Sequence, residues 1–200
     1  MRKIVLFDRV SADGSFSGPG GDLSWAVPDD ELDAAGAAGA RSGAGTLLFG
    51  RVTYEMFESF WPKIDETAST APDPHAAGRR SQSMRDMGVY INQARKIVFS
   101  TTRKEMHWKN SELVRAFDPK FVEALKREPG NDMMIFGSGS IVRELTIHGL
   151  IDEYTLVISP LLLGGGRPLF NGLPNTTKLR LIEAKPFASG NVRLRYARDA

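Results

Sequence analysis

Short apolar runs alternate along the chain with stretches whose apolar residues recur every three or four positions, a pattern that predicts an α/β fold. Residues 4–7, 46–49 and 96–100 are apolar runs of strand length, and 112–114 is a weaker fourth. Residues 133–136 are apolar and unbroken, as in a strand buried on both sheet faces. Residues 154–158 form a further strand stopped by Pro160, and 179–182 and 192–196 flank the polar Ser189-Gly190-Asn191 as a terminal antiparallel hairpin. Between strands, residues 29–42 are alanine-rich around Leu32 and predict a helix that Gly36 and Gly39 weaken. Tyr54, Phe57 and Phe60 begin a second helix. Asp118 and Pro119 open a third as N-cap and first-turn residue, with Phe121, Val122 and Leu125 as its apolar face. Ile141, Leu145 and His148 recur at helical spacing before the stop signal Gly149. Residues 64–80, with Pro72, Pro74 and Gly78, are the one long irregular segment, as expected of a lid, a binding loop or an excursion. Neither a repeat nor a composition break divides the chain, so a single domain over residues 1–200 is expected.

Composition narrows the function classes. The 200 residues, 42% hydrophobic, suffice for one core of generous size. Lys and Arg number 26 against 24 acidic residues, a net +2, and no basic–aromatic stripe is present, so nucleic acid is not an expected partner. Cysteine is absent, which excludes disulfides, thiolate nucleophiles and cysteine metal sites; His75, His107 and His148 have no ligand spacing, and no metal is expected. The N-terminal apolar run ends at Asp8, too early for a signal peptide, and no stretch of about 18 apolar residues is available to span a membrane. A cytoplasmic protein without a membrane partner is the expectation.

Three strand ends carry chemistry. After residues 133–136 come Gly137-Ser138-Gly139-Ser140-Ile141, two glycines that let the backbone turn sharply ahead of a helix N-terminus. Free N–H groups and the helix dipole there make an anion site, and the same sequence also serves a turn that merely packs helix on sheet. After residues 46–49 come Gly50, Arg51 and Thr53, where Arg51 can grip a phosphate through two N–H groups; a capped helix carrying a surface arginine reads identically. The third strand ends in Ser100-Thr101-Thr102-Arg103. Ligands of open α/β sheets sit outside the carboxyl ends of strands, so the three ends together describe one extended, multi-phosphate ligand. Beyond the first strand lie Ser11 and Asp13 in a turn with Gly14, then Trp25 and the acidic Asp29-Asp30. A carboxyl beside a tryptophan, partly desolvated, has a raised pKa and can relay a proton. Asp30 is the preferred proton donor and Asp13 the positioning residue.

The order Ser11-x-Asp13-Gly14, Trp25, Gly50-Arg51-x-Thr53-Tyr54, Ser100-Thr101-Thr102 and Gly137-Ser138-Gly139 resembles the dihydrofolate reductase superfamily. The segments 150–153 and 160–170, with Gly164-Gly165-Gly166 and Leu169-Phe170, are similar to its branch containing the reductase domain of riboflavin biosynthesis, the C-terminal part of the bacterial bifunctional deaminase-reductase. The resemblance spans about residues 2–197. It implies a three-layer αβα fold with a mixed, mostly parallel sheet, and a homodimer with the 160–170 segment as a candidate contact. It also implies an NADPH-dependent reductase that transfers hydride to a small pyrimidine-, pteridine- or flavin-precursor-like substrate; the alternative is a non-catalytic dinucleotide-binding module of the same fold. Carried over, Gly50, Arg51, Thr53, Ser100, Thr101 and Thr102 hold the adenosine side, and Gly137, Ser138, Gly139, Ser140 and Ile141 the pyrophosphate. Arg51 and Arg103 meet the 2′-phosphate, and the nicotinamide lies against residues 11–14, with Ser11, Trp25 and Tyr54 at the substrate. Two departures stand out. Ser138 separates glycines that are often adjacent in the family, and the folate-binding residues around Asp30 are not recognisable. The zinc deaminase domain has no counterpart, since its cysteine ligands are missing.

Overall fold

A computed structural model describes residues 1–40, 45–64 and 82–199. The long irregular segment therefore lies, from residue 65 to residue 80, outside the described residues, as does the end of the alanine-rich helix.

Eight strands form the main sheet: β1 (Ile4–Ser11), β3 (Thr46–Gly50), β4 (Arg95–Phe99), β5 (Ser111–Val114), β6 (Met133–Phe136), β7 (Glu153–Ser159), β9 (Leu179–Pro186) and β10 (Val192–Arg198). The short strands β2 (Ser15–Ser17) and β8 (Arg167–Pro168) pair separately. The main-sheet order is β5-β4-β3-β6-β1-β7-β10-β9. The first six of these are mutually parallel, and β10 runs antiparallel to both β7 and β9. This is the mixed sheet with a C-terminal antiparallel pair expected from the sequence.

Helices cover both faces. On one side lie α4 (Pro119–Arg127) and α5 (Gly139–Ile147), whose Val122, Leu125, Val142 and Leu145 pack on Leu6, Leu48, Ile97 and Ile135. On the other lie α1 (Asp30–Ala40), α2 (Arg51–Phe60) and α3 (Gln82–Gln93), with Phe57, Phe60 and Ile91 against Leu47, Phe49 and Val98 and Leu32 against Val157 and Phe187. The alternation along each strand divides the two cores, since adjacent residues point to opposite faces.

Local chemistry sets the helix starts. Asp118 caps α4 by accepting from Lys120 N–H at 2.9 Å ahead of Pro119, as the sequence predicts. Asp29 caps α1, accepting from Leu32 N–H at 2.9 Å, and its other oxygen takes the Ser189 hydroxyl.

The structure departs from the sequence reading at β1 and at α3. Strand β1 continues past Phe7 to Ser11, because burial of Asp8 and pairing of Arg9 with Asp33 at 2.8 Å let two charged residues stay in the sheet. Helix α3 was not anticipated: its apolar stripe rests on Met84, Met87 and Ile91 within a polar sequence.

Strand β6 lies between β3 and β1, so the chain reverses its direction of travel across the sheet there. At such a switch point the carboxyl ends of neighbouring strands diverge and leave a crevice.

Candidate functional site

Two turns leave that crevice side by side. Gly50 ends β3 and Gly137 ends β6, and they are stitched together: Gly50 N–H donates to Ser138 Oγ at 3.0 Å, and Ser138 N–H donates to Thr53 Oγ1 at 3.0 Å. Gly137 and Ser138 hold φ of +52° and +59°, a left-handed pair in which glycine relieves the first strain and the Thr53 bond fixes the second. The hydroxyls of Ser138 and Thr53 thus build the turn. Helix α5 begins one residue later; Ile141 and Val142 N–H donate to Ser138 O at 2.8 and 3.0 Å, and the N–H groups of Gly139 and Ser140 have no partner within the helix. A side chain at Gly139 would put its Cβ 3.1 Å from the Phe16 ring, so that ring packs on the turn only because no side chain is there.

In front of these turns is a cavity of about 700 Å³. Gly50, Arg51, Thr53, Ser100, Thr101, Thr102, Ser138, Gly139, Ser140 and Ile141 all line it, so ten of the twelve residues read from sequence as cofactor-binding converge on one space. Arg115, Arg143 and Arg167 join Arg51 in its walls, and no Asp or Glu is among the described lining residues. Four cations, a row of hydroxyls and two helix N-termini facing one cavity describe a site for an extended polyanion. Arg51 is paired with Glu55 at 2.8 Å, but that pair is an exposed one of i,i+4 type, worth only about 0.3–0.5 kcal/mol, and so yields readily to a phosphate.

The remaining two of the twelve lie elsewhere. Gly137 faces the neighbouring cavity. Arg103 lines neither: it bonds Glu58 at 2.6 Å and Glu55 at 3.3 Å, and lies over the Tyr54 ring at 5.1 Å. Its side chain is committed to holding the loop after β4 onto α2. Tyr54, read as substrate-binding, is fully buried in the core beneath it and bonds Glu58 and Ser111. Burial, together with the Glu58 carboxylate, pushes its phenol above the usual range.

The second cavity, about 200 Å³, lies between the sheet and helices α1, α2 and α3. It joins the first at Phe16, Val52, Thr53 and Arg167, which line both. Its walls are apolar: Phe7 and Phe136 from the sheet, Trp25 from the loop before α1, Phe57 from α2, Met84 and Met87 from α3. Trp25 is thus at the cavity as the sequence suggests, its indole N–H donating to Asp22 O at 3.0 Å.

The acidic residues sort differently from the sequence expectation. Asp30 is exposed at the start of α1 and lines neither cavity. One helical turn on, Asp33 lines the apolar cavity, paired with Arg9, which also donates to Val27 O at 3.0 Å. Asp13 is outside both cavities; it accepts from Ser11 Oγ at 2.5 Å and from the N–H groups of Leu163 and Gly164 at 3.2 and 2.9 Å. Those donors, the serine hydroxyl first, hold its carboxyl below the usual range, so Asp13 and Ser11 clamp the 160–170 segment to β1 as anionic anchor and hydroxyl.

The acid the sequence reading passed over is Asp8. It stands on β1 one residue past the last β1–β6 pair, Phe7 opposite Phe136, and lines the apolar cavity. Its Oδ1 accepts from Arg9 N–H at 3.0 Å, and its Oδ2 has no partner among the described residues. Burial pushes this carboxyl well above the usual carboxylate range. The signal was available: a lone carboxylate inside an apolar strand, which the sequence treats as the strand's end.

Among the described residues no group of metal-ligating side chains is assembled, and no helix is long and apolar enough to cross a membrane. The same architecture occurs in solved proteins. A putative riboflavin biosynthesis protein from Shewanella sp. PV-4 superposes over the full length of both chains with a TM-score of 0.72 at 22% identity. Dihydrofolate reductase from Enterococcus faecalis, solved with NADP(H), superposes over 99% of this chain and 97% of its own with a TM-score of 0.61 at 13% identity. Among curated sequences, the uncharacterized protein YwjB of Bacillus subtilis (strain 168) is 30% identical over 207 residues, covering 98% of each chain. The model of the RibD C-terminal domain matches residues 2–193. The strand-end turns, the sheet and this full-length match agree, and the chain belongs to the RibD C-terminal domain family.

Proposed function

We propose that the chain is an NADPH-dependent reductase that delivers hydride to a small pyrimidine-, pteridine- or flavin-precursor-like molecule. The observation that carries this reading is the junction of two unlike cavities, one basic and hydroxyl-lined, the other apolar and aromatic. A dinucleotide needs the first along its phosphates, and a reacting ring pair needs the second, from which water is excluded.

In this reading Gly50, Arg51, Thr53, Ser100, Thr101 and Thr102 hold the adenosine side, with Arg51 at the 2′-phosphate. The α5 N-terminus at Gly139, Ser140 and Ile141 takes the pyrophosphate, with Arg143 and Arg167 in the same walls. A reduced nicotinamide, when bound, would supply the hydride, and Phe16 and Gly137 at the apolar cavity would hold its ring, rather than residues 11–14, which line neither cavity. Burial pushes the Asp8 carboxyl well above the usual carboxylate range, and with Oδ1 occupied by Arg9 N–H its Oδ2 is the oxygen left to carry a proton. In this reading Asp8 is the acid of the apolar cavity, in place of Asp30. The Arg9–Asp33 pair is fixed between β1 and α1 and gives the cavity one rigid polar wall. A homodimer belongs to the same reading, with the exposed Leu162 and Phe170 of the 160–170 segment at the contact.

Titration with NADPH and NADH by protein fluorescence, followed by turnover assays on pterins, pyrimidines and flavin precursors, tests the proposal. Tighter binding of NADPH and oxidation dependent on one of those substrates is expected. Binding without turnover would make the chain a dinucleotide-binding module, and failure to bind either cofactor would remove the reading altogether.

A further inference from the structure

The arginines of the basic cleft differ in what already neutralises them. Arg51 is paired with Glu55 at 2.8 Å, and Arg143 with Glu144 at 2.6 Å. Arg103, outside the cleft, is paired with Glu58 and Glu55. Arg115 is different. It is exposed and lines the cleft, and among the described residues its side chain has one partner, the Arg103 carbonyl oxygen, 2.5 Å from Nη1. A guanidinium carries five N–H donors, so four remain, and no carboxylate offsets its charge. Arg167, likewise without a carboxylate partner among the described residues, stands apart on the seam with the apolar cavity.

The register of the sheet gives Arg115 its neighbours. Gly50 lies opposite Phe99 on the adjacent strand, and Phe99 opposite Val114 on the next. The residues that follow, Arg51, Ser100 and Arg115, therefore leave three parallel strands in one row, and Ser100 N–H donates to Val114 O at 3.0 Å. With strands about 4.8 Å apart, the two arginines start about 10 Å from each other, with the Ser100, Thr101 and Thr102 hydroxyls between them. Ser100 Oγ already accepts from Arg103 N–H at 3.0 Å, which leaves its own hydrogen to donate. Two guanidinium forks and a donating hydroxyl suit a phosphate monoester, which carries close to two charges and three acceptor oxygens at neutral pH. The row is centred on β4, two strands from the α5 turn at the end of β6, or about 10 Å. A ligand filling both points has phosphates at two separated places.

We infer that Arg115 is a specificity-determining residue: from the far side of the Ser100 row it binds a phosphate monoester on the adenosine ribose, and it outweighs Arg51 in selecting the phosphorylated dinucleotide. The inference rests on the reading of the cleft as a dinucleotide site, and it names the residue that decides which dinucleotide. Arg51 must give up Glu55 to bind a phosphate, whereas Arg115 gives up no carboxylate. Its bond to Arg103 O already fixes one arm of the fork, so less side-chain freedom is lost on binding.

Adenosine 2′,5′-bisphosphate and adenosine 5′-monophosphate differ by that one phosphate and bring no nicotinamide. Both are titrated by calorimetry into the wild-type chain, Arg115→Ala and Arg115→Lys, with urea denaturation of each protein to register any loss of stability. Wild type should prefer the bisphosphate by roughly 30-fold or more. Arg115→Ala should weaken the bisphosphate about 30-fold and the monophosphate less than about twofold. Arg115→Lys should recover part of the loss, because an ammonium keeps the charge without the fork. Equal losses for the two nucleotides would mean that Arg115 only pins the loop after β4 through Arg103 O, and would overturn the inference. An undiminished preference in Arg115→Ala, or binding of neither nucleotide by wild type, would overturn it as well. Inorganic phosphate is the third probe: Arg115-dependent binding as tight as that of the bisphosphate would take the site away from a nucleotide and sink the inference. NADPH is titrated separately. Arg115-dependent bisphosphate binding without NADPH binding would defeat the reductase reading and leave the inference standing; NADPH binding that Arg115→Ala leaves intact would do the reverse.

Discussion

The two cavities share four residues and are built on opposite principles. The basic cleft is made of strand ends: glycines, hydroxyls and first-turn N–H groups, contributed by short local sequences at the carboxyl edge of the sheet. The apolar cavity is made of side chains from β1, the Trp25 loop, three helices and β6, residues as far apart in sequence as Phe7 and Arg167. The cleft offers charge with abundant hydrogen bonds, and the cavity offers chiefly dispersion contacts. A ligand spanning both would have its affinity set in the cleft and its identity read in the cavity, because phosphates are bound alike by any cationic cradle whereas a walled apolar cavity selects by shape and size.

That division is open to attack by mutation. The largest effect is expected at Gly139, where a valine would drive its side chain into the Phe16 ring that a Cβ already meets at 3.1 Å. Gly139→Val should weaken NADPH binding by more than about 100-fold, with secondary structure by circular dichroism unchanged. Undiminished affinity in the folded variant would place the pyrophosphate elsewhere than the α5 turn.

Next is Asp8, where the apolar cavity sets a pH dependence. Its folded-state pKa is raised, so the native protein holds a proton that the unfolded chain releases above about pH 4. Native binds more protons than unfolded in that window, and stability falls as pH rises, by roughly 1.4 kcal/mol per unit until the folded pKa is reached. Asp8→Asn removes that slope. Urea denaturation of both proteins between pH 4 and 8 should show the variant gaining on the wild type with rising pH, and parallel curves would mean Asp8 is ionised in the fold.

Arg103 distinguishes the cleft from its scaffold. Because its guanidinium is engaged with Glu58, Glu55 and the Tyr54 ring, Arg103→Ala should cost about 2 kcal/mol of stability in urea while leaving NADPH affinity within twofold. A loss of affinity specific to NADPH would return Arg103 to the 2′-phosphate.

The smallest of the four effects concerns Arg51. Arg51→Ala should weaken NADPH about tenfold, the worth of one charge-assisted contact, and NADH hardly at all. Equal losses for the two cofactors would separate Arg51 from the 2′-phosphate.

The same contrast explains what could be read in advance. Ten of the twelve cofactor candidates lie on one cavity because each motif carries its own local geometry: a strand end, a glycine, a hydroxyl, a helix start. Arg103 was misjudged from its neighbours Ser100, Thr101 and Thr102, because its carboxylate partners Glu55 and Glu58 are 48 and 45 residues away. Asp30 and Asp33 differ by one turn of α1, and only the packing of that helix on β1 decides which of them meets Arg9. Tyr54 lies in a motif whose first residues face the cleft, while its own ring turns into the core beneath Trp108.

By itself the sequence determined the alternation of strands and helices, the Asp118 cap, the terminal hairpin and the glycine turns, since each follows from hydrophobic period and backbone freedom over a few residues. Tertiary structure alone decided that Asp8 stays in a strand as a buried acid and that Asp13 becomes an anchor. It alone decided, too, that Asp8, Ser17 and Trp61, which line one cavity, each keep a buried polar atom without a partner among the described residues. The physical reason is that burial and partnership belong to pairs of distant residues: what a polar side chain does depends on what the fold brings to it, and no local pattern records an absent partner.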